Sequence, residues 1–268
     1  LFHGLFTGTI DYFHDKRTDI FMKRNNMPLS TGLADQTPMA NVGAMKSYGV
    51  DGNIAFNKRF GEVNFTLRAN LTYQNTEVLD MDEAANELWY RMSRGFRQGQ
   101  TRGLIALGLF KDQADIDQSP SQDNLANFPI MPGDIKYKDV NGDGVITEDD
   151  IVPIGYKNTP GIMYGFGLSA SWRGWGLNML FQGAGKRDFF VGGNGPHAFH
   201  DGATGNILQR MVVEDRWIPA EISGTTATEN PNALWPRLTY TNNTNNNRQS
   251  TFWLKNGRYL RFKKLERP

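Results

Sequence analysis

From Glu62 to Gln74 the chain alternates without a break. Val63, Phe65, Leu67, Ala69, Leu71 and Tyr73 stand against Glu62, Asn64, Thr66, Arg68, Asn70, Thr72 and Gln74. A period of two places successive side chains on opposite faces of an extended strand, so one face here is apolar and the other polar. Tyr48 to Phe60 carries the same alternation, with Val50, Ile54 and Phe56 opposite Asp51, Asn53 and Asn57, and Gly61 between the two segments predicts a tight hairpin. A second hairpin is predicted further on. Tyr164, Phe166, Leu168, Ala170 and Trp172 face one way, Arg173 and Gly174 turn the chain, and Trp175, Leu177, Met179 and Phe181 continue the apolar face.

Shorter alternating stretches predict further strands over Leu5 to His14, Arg17 to Lys23, Arg102 to Phe110 and Thr251 to Lys264, with a short turn at Asp15-Lys16. Long connections then cover Asn25 to Lys46, Thr76 to Gln100, Lys111 to Gly161 and Lys186 to Ser250. A soluble β-sandwich also alternates, but its strands usually run about five or six residues, whereas crossing a bilayer at a tilt takes about 9 to 11. Strand length, together with short turns alternating with long loops, favours an all-β fold: part of an antiparallel transmembrane β-barrel whose long extracellular loops contain short helices. Within those loops Asp82 to Arg94 and Asn206 to Arg216 have helical composition, while "YTNNTNNNRQS" is a polar tract suited to a mobile loop tip, with Asn243 and Asn246 expected at the surface.

Composition narrows the partners. A formal net charge of +1 over 268 residues, with Lys and Arg scattered, supplies no basic field for nucleic acid. The chain has no cysteine, which removes a disulfide framework, thiol catalysis and a cysteine zinc site. No apolar run is long enough for a membrane helix, a fact that leaves strands free to cross instead. The chain opens at Leu1 without Met or a signal peptide, so a portion of a longer protein is expected.

The sharpest local motif is "DVNGDGVITEDD", Asp139 to Asp150. Asp139, Asn141 and Asp143 stand two apart, Gly144 takes the sixth place, Val145 offers a carbonyl at the seventh, Thr147 fits the ninth and Asp150 closes the twelfth: the spacing of an EF-hand calcium loop. The flanks are not helical. "MPGDIKYKDV" alternates like a strand, and Pro153 and Pro160 stand where an exit helix would run. The expectation is an EF-hand-like loop over 139–150, inserted in an extracellular loop, whose Ca²⁺ is held by Asp139, Asn141, Asp143, Val145, Thr147 and Asp150 in a structural role. Asp150 is one methylene shorter than the usual Glu, so weaker binding or help from Asp149 is expected. The alternative is a solvated polar turn with no ion.

Three segments carry a resemblance to a known family. "GLFKDQADIDQSP" is followed by "PGDIKYKDVNGDGVITEDD"; "IGYKNTPGIMYGFGLSASWRGWGLNMLFQGAGKRDFF" reads as the hairpin that follows; and "WPRL" precedes "FWLKNGRYLRFKKLE". In order and spacing these resemble the C-terminal barrel portion of SusC/RagA-family TonB-dependent transporters, so residues 1–268 are identified as part of that receptor barrel. The resemblance implies a barrel of 22 strands around a plug in the outer membrane of a Gram-negative bacterium. It also implies a SusD-like surface lipoprotein as a lid and energy delivered through the TonB complex, for import of oligosaccharide or peptide fragments. Relative to the family, the plug domain, the TonB-contact region and the strands beyond Lys264 are absent here, and Lys264 stands where Asn is usual. Lumen-lining residues are then the polar face of Glu62 to Gln74 and the Gly/Ser face of Gly165 to Ser171, with membrane lipid on the apolar face.

No catalytic constellation emerges, and an enzyme is not expected. "DMDEAANE" and "KDQADID" read as solvated loop charge rather than as a glycosidase pair. His197 and His200, near Asp201, have a spacing that could bind a metal but stand in a Gly-rich loop. Trp89, Tyr90, Trp217 and Trp235 could stack on sugars, or pack loops together or against the lid. The competing function is a soluble calcium-stabilised β module for adhesion or assembly. A dockerin of that kind carries its loop twice with helices, whereas here the loop occurs once between strands.

Overall fold

A computed structural model describes residues 5–27, 30, 32, 37–86, 88–200, 205–213 and 215–267. Its main feature is an antiparallel wall of six strands in the order β1-β2-β3-β8-β9-β12. These are β1 (Phe6–Lys23), β2 (Met39–Phe60), β3 (Val63–Asp80), β8 (Ile162–Trp172), β9 (Trp175–Gly185) and β12 (Tyr259–Glu266). Both predicted hairpins are present: Gly61 (φ 59°) turns β2 into β3, and Arg173 and Gly174 (φ 45° and 84°) turn β8 into β9. Gly61 and Gly174 occupy left-handed backbone conformations that side-chain-bearing residues rarely adopt.

Register carries the alternation across the whole wall. Phe6, Phe56, Leu67, Leu168, Met179 and Leu265 form one cross-strand row, each paired with the next. Three residues along, Thr9, Asn53, Asn70, Gly165, Gln182 and Arg261 form another. Rows of the first kind share the apolar face, rows of the second kind the polar face. The apolar face is not covered by protein: Ile10 and Ile54 are among its exposed members, 75% and 55% accessible. Aromatic rings bound it at both ends, with Phe60, Trp172 and Trp175 beside the short turns and Tyr12, Tyr73 and Tyr164 toward the long connections. From Phe65 to Tyr73 is about 26 Å along a strand, the scale of a barrel's apolar band flanked by aromatic girdles.

Several expectations are corrected. Residues 6–23 form one strand without a turn at Asp15-Lys16, because pairing runs on through Asp15 to Ser47 and Lys16 to Lys46; the irregularity falls at a bulge between Arg17 and Ile20, where Asp19 has φ 56°. β2 starts before Lys46 and β3 runs to Asp80, which shortens the loops on either side. Arg102 to Phe110 is not a wall strand. It breaks into β4 (Arg102–Gly103) and β5 (Ala106–Leu109), which pair with β7 (Val152–Pro153) and β6 (Ile135–Tyr137) within the long connection. Thr251 to Lys264 divides at Gly257, whose N–H donates to the Arg187 carbonyl at 2.8 Å. The first part, β11 (Leu254–Asn256), pairs with β10 (Asp188–Phe190), and only β12 joins the wall.

In β12 a bulge lies between Phe262 and Lys264. Strict alternation would put Lys264 on the same face as Leu260 and Phe262. The extra residue resets the parity, so Leu265 pairs with Met179 in an apolar row while Lys264 pairs with Leu180 on the polar face. Lys263 and Arg261 both donate to Gln182 Oε1, at 3.2 and 3.1 Å.

Residues 81–161 and 186–258 leave the wall between β3 and β8 and between β9 and β12, and the two pack into one cap. Leu104, Leu109, Ile135, Tyr137 and Ile146 from the first share a core with Trp217, Ala233 and Trp253 from the second. Helices are short: α1 (Gln113–Asp117), α2 (Gln209–Val213) and α3 (Ala220–Ser223). Among its described residues, Asp82 to Arg94 holds a 3₁₀ turn, Trp89–Arg91, and no α-helix. Its acids close the loop instead: the Glu83 carboxylate accepts from Ser93 N and Arg94 N, and Asp82 pairs with Arg24 at 2.7 Å.

The Asn-rich tract is the largest departure. It lies inside the cap, with Asn243, Asn245 and Asn246 buried. Asp134, 1% accessible, accepts from Arg237 Nε and Nη2 at 2.7 and 3.0 Å and from the Asn246 and Asn243 side-chain amides at 2.8 and 3.3 Å. Asn245 donates to the Ile135 carbonyl at 3.0 Å and accepts from Gln122 Nε2 at 2.9 Å, while the Tyr137 hydroxyl donates to its carbonyl at 2.6 Å. Carboxamides carry both donors and acceptors, so they can satisfy the buried backbone of β6, which has no second strand on that side.

The face assignment has a direct test in the full-length protein that contains this wall. Leu67→Arg and Leu168→Arg should each lower stability in the membrane by about 2–4 kcal/mol if they lie near the bilayer midplane, and Thr66→Arg and Ser169→Arg by much less. Heat-modifiable migration of assembled protein from outer membranes measures this. Equal tolerance on both faces would contradict the assignment.

Candidate functional site

Three features could carry function: the polar face of the wall, the turn at 139–150 and the cap surface. On the polar face, Thr66 donates to Asn57 Oδ1 at 2.9 Å and Thr72 donates to Asp51 Oδ1 at 2.8 Å. Asp11 pairs with Asp51 across β1 and β2, and Arg68, Asn70, Gln182, Arg261 and Lys264 continue the face. The predicted lumen residues of β3 and β8 are adjacent: Thr66 opposes Ser169, Arg68 opposes Gly167 and Asn70 opposes Gly165. Glycines opposite Arg68 and Asn70 leave those long side chains room, and a Cβ at Gly165 would come within 2.7 Å of the Asn70 carboxamide oxygen. The result is a broad hydrogen-bonding surface of mixed charge, suited to many weak contacts with a polar solute.

The Asp139–Asp150 segment folds as a compact turn. Asp139 accepts from Gly142 N at 2.6 Å and Gly144 N at 2.8 Å, Asn141 Oδ1 accepts from Asp143 N at 3.2 Å, and Asp143 accepts from Val145 N at 2.9 Å. Gly142 and Gly144 have φ 78° and 84°, as the sharp bend requires. Thr147 and Asp150 form a capping box on the 3₁₀ turn Glu148–Asp150, and Asp150 is fully buried, accepting from Val140 N and Thr147 N at 2.7 and 2.8 Å. Asp149 is engaged elsewhere, in an ion pair with Arg91, while its carbonyl accepts from the Tyr90 hydroxyl at 3.0 Å. The turn is docked on the cap by Ile146, wholly buried, whose N–H donates to the Ser121 carbonyl at 2.7 Å.

These backbone donors orient the carboxylates of Asp139, Asp143 and Asp150, and each carboxylate oxygen keeps a further lone pair. The same bonds also close the turn without an ion. Among the described residues, no three His, Asp or Glu side chains are grouped closely enough to hold a metal as they stand. That includes His197 and His200, whose rings stack at 5.9 Å rather than converge; Asp201 lies outside the described residues. His197 is buried against Trp253, neither of its ring nitrogens has a hydrogen-bond partner, and burial pushes its pKa down to about 4. The neutral imidazole is a core residue here.

The tryptophans divide by role. Trp217 is buried in the cap core, Trp235 is partly buried against it, and they are linked by a hydrogen bond from Trp217 N to the Trp235 carbonyl at 3.0 Å. Both hold the two excursions together. Trp89 is exposed and stacks on Phe96 at 5.8 Å, while Tyr90 is buried. Ile222 of α3 is 78% accessible and lines an open groove with Met131, Ile218 and Leu238, and Leu234 elsewhere on the cap is 61% accessible. The residues that sequence reasoning passed over are Gln122, Asp134 and Arg237. Asp134 and Arg237 stand in the "PGD" and "WPRL" motifs, which held the signal without revealing that the two meet.

No family model matches the chain. It is 27% identical over 248 residues to TonB-dependent receptor P26 of Formosa agariphila, a match covering 88% of this chain and 23% of that protein. Among solved structures it is similar to the RagAB peptide transporter (TM-score 0.65, 18% identity, 97% of this chain and 26% of that one). The RagAB peptide importer in its "open-open" state gives a TM-score of 0.66 at 18% identity, covering 99% of this chain and 26% of that one. The chain thus spans about a quarter of the length of the proteins it matches. With a wall that is apolar on one face and polar on the other, the chain is similar in sequence to a TonB-dependent receptor and has the fold of a stretch of the RagAB transporter's barrel with its capping loops.

Proposed function

We propose that this wall and cap belong to an active importer of the Gram-negative outer membrane, one that takes up peptide or glycan fragments with a SusD-like surface lipoprotein and the TonB complex. The observation that carries the reading is the register: six strands keep polar residues on one face and apolar residues on the other, as a lumen wall in lipid requires. In this reading the cap lies on the extracellular side, over the lumen. The exposed Ile222 and Leu234 give it apolar surface of the kind a lipoprotein lid would cover. Similarity to structures described as a peptide transporter supports peptide cargo, and no specific contact here favours glycan. Uptake of labelled oligopeptides and oligosaccharides by cells carrying the full-length protein and its lipoprotein is the test. Accumulation should require TonB; accumulation unchanged in cells lacking TonB would overturn the proposal.

The proposal extends to the turn at 139–150, where Asp139, Asn141, Asp143, the Val145 carbonyl, Thr147 and Asp150 would hold Ca²⁺ and brace the cap. Support comes from the EF-hand spacing and from backbone bonds that order the Asp139, Asp143 and Asp150 carboxylates in one turn. Binding to the folded form alone stabilises by about 2.7 kcal/mol at a hundred times Kd. Because the turn also closes on its own hydrogen bonds, a chelator is the discriminating reagent. Calcium removal should raise protease cleavage between Asp139 and Ile151 in the full-length wild type and change nothing further in Asp143→Ala. Cleavage indifferent to chelator in the wild type would make this an ordinary polar turn.

A further inference from the structure

Lys58 is a cation on the apolar face. Strand parity places it with Phe56 and Phe60, it pairs with Phe65 on β3, and its Nζ lies 5.1 Å from the Phe60 ring centroid. Arg267, just past β12, repeats the arrangement at the other side of the wall, with its guanidinium 4.5 Å from the Trp175 ring. Both are exposed. The nearby carboxylates are already engaged, Glu62 with Arg173 at 2.5 and 2.9 Å and Glu266 with Lys264, so among the described residues no acid pairs with Lys58 or Arg267. A cation with no carboxylate partner at the aromatic rim of a lipid-facing surface is free to attract an anion from outside the protein.

A second feature lies in line with the first. Along β2 from Lys58 the apolar face runs through Phe56 and Ile54 to Gly52. Gly52 lies in a shallow, open notch of about 250 Å³ bordered by Ile10, Val50, Ile54, Ala69 and Leu71, with Asn53 and Asn70 beside it. The six residue steps from Lys58 to Gly52 span about 20 Å of strand. At a tilt of about 40° that descends about 15 Å, a depth that one acyl chain of a leaflet can reach.

Resting on the membrane-wall reading above, we propose that Lys58 and the Gly52 notch form a seat for one anionic phospholipid of the leaflet around the short turns, with its phosphate on Lys58 and an acyl chain laid along β2. An anionic headgroup is favoured over a zwitterionic one because Lys58 has no acid of its own to neutralise it. The chain occupies the notch in preference to bulk lipid because Gly52 lets it approach the backbone. Lys16 provides the comparison: it is also exposed on this face, but lies at the long-connection end and opposite Lys46.

Native mass spectrometry of the assembled full-length protein tests the proposal, after exchange into mixed phosphatidylglycerol and phosphatidylethanolamine. Lys58→Gln should lower retained phosphatidylglycerol about fivefold, Lys58→Arg should keep it, and Ile10→Trp, which fills the notch from an exposed position, should lower it too. Lys16→Gln should not. Unchanged phosphatidylglycerol in assembled Lys58→Gln, equal retention of both lipids by the wild type, or displacement of the lipid by the lipopolysaccharide of the opposite leaflet would each overturn the seat. Wild-type protein that enters no membrane would instead contradict the wall reading itself.

Discussion

A strand in hydrocarbon has no water to satisfy its backbone, so its N–H and C=O groups must be paired by neighbouring strands. Everything else in this chain follows from that ladder. Continuous pairing from β1 to β12 fixes the register, register fixes which residue faces which way, and facing decides chemistry. The bulge in β12 shows how strongly the constraint acts: one extra residue turns Lys264 away from the apolar face and returns Leu265 to it, although the unbulged spacing would have done the reverse. In the proposed membrane setting, stability of the wall lies in lipid contact outside and paired backbone within, and not in a core of its own.

The cap obeys a different rule. It has a conventional apolar core, but its centre is a buried charge, Asp134, satisfied by Arg237, Asn243 and Asn246. Removing one partner of such a pair costs far more than the pair contributes, because the other charge is left buried and unmatched. Here carboxamides share the load, which lets a stretch poor in apolar residues become ordered. That network joins the two excursions from the wall into one packed cap.

The wall was legible in the sequence because bilayer and lumen impose one period on every residue. The hairpins at Gly61 and at Arg173-Gly174, and the face assignment of Val63 to Tyr73, needed only local pattern. The strand over 6–23 was split in the reading because Asp15-Lys16 resembles a turn, and only pairing with Ser47 and Lys46 shows otherwise. The cap was illegible for the opposite reason. Asn246 meets Asp134 across 112 residues, and a polar tract gives no local sign that it will be buried. The acidic turn falls between: its spacing predicted the bend at Gly142 and Gly144, while the amide partners of Asp139 and Asp150 come from the fold.

The central claim is that the two faces of this wall meet different solvents. Nitroxide labels placed singly at residues 63 to 73 of the full-length protein in lipid vesicles measure this through collisions with oxygen, which partitions into hydrocarbon, and with a water-soluble nickel chelate. Val63, Phe65, Leu67, Ala69 and Leu71 should favour oxygen, and Asn64, Thr66, Arg68, Asn70 and Thr72 the chelate, with a period of two. Accessibility that is uniform along the strand, or that alternates in the opposite phase, would contradict the account.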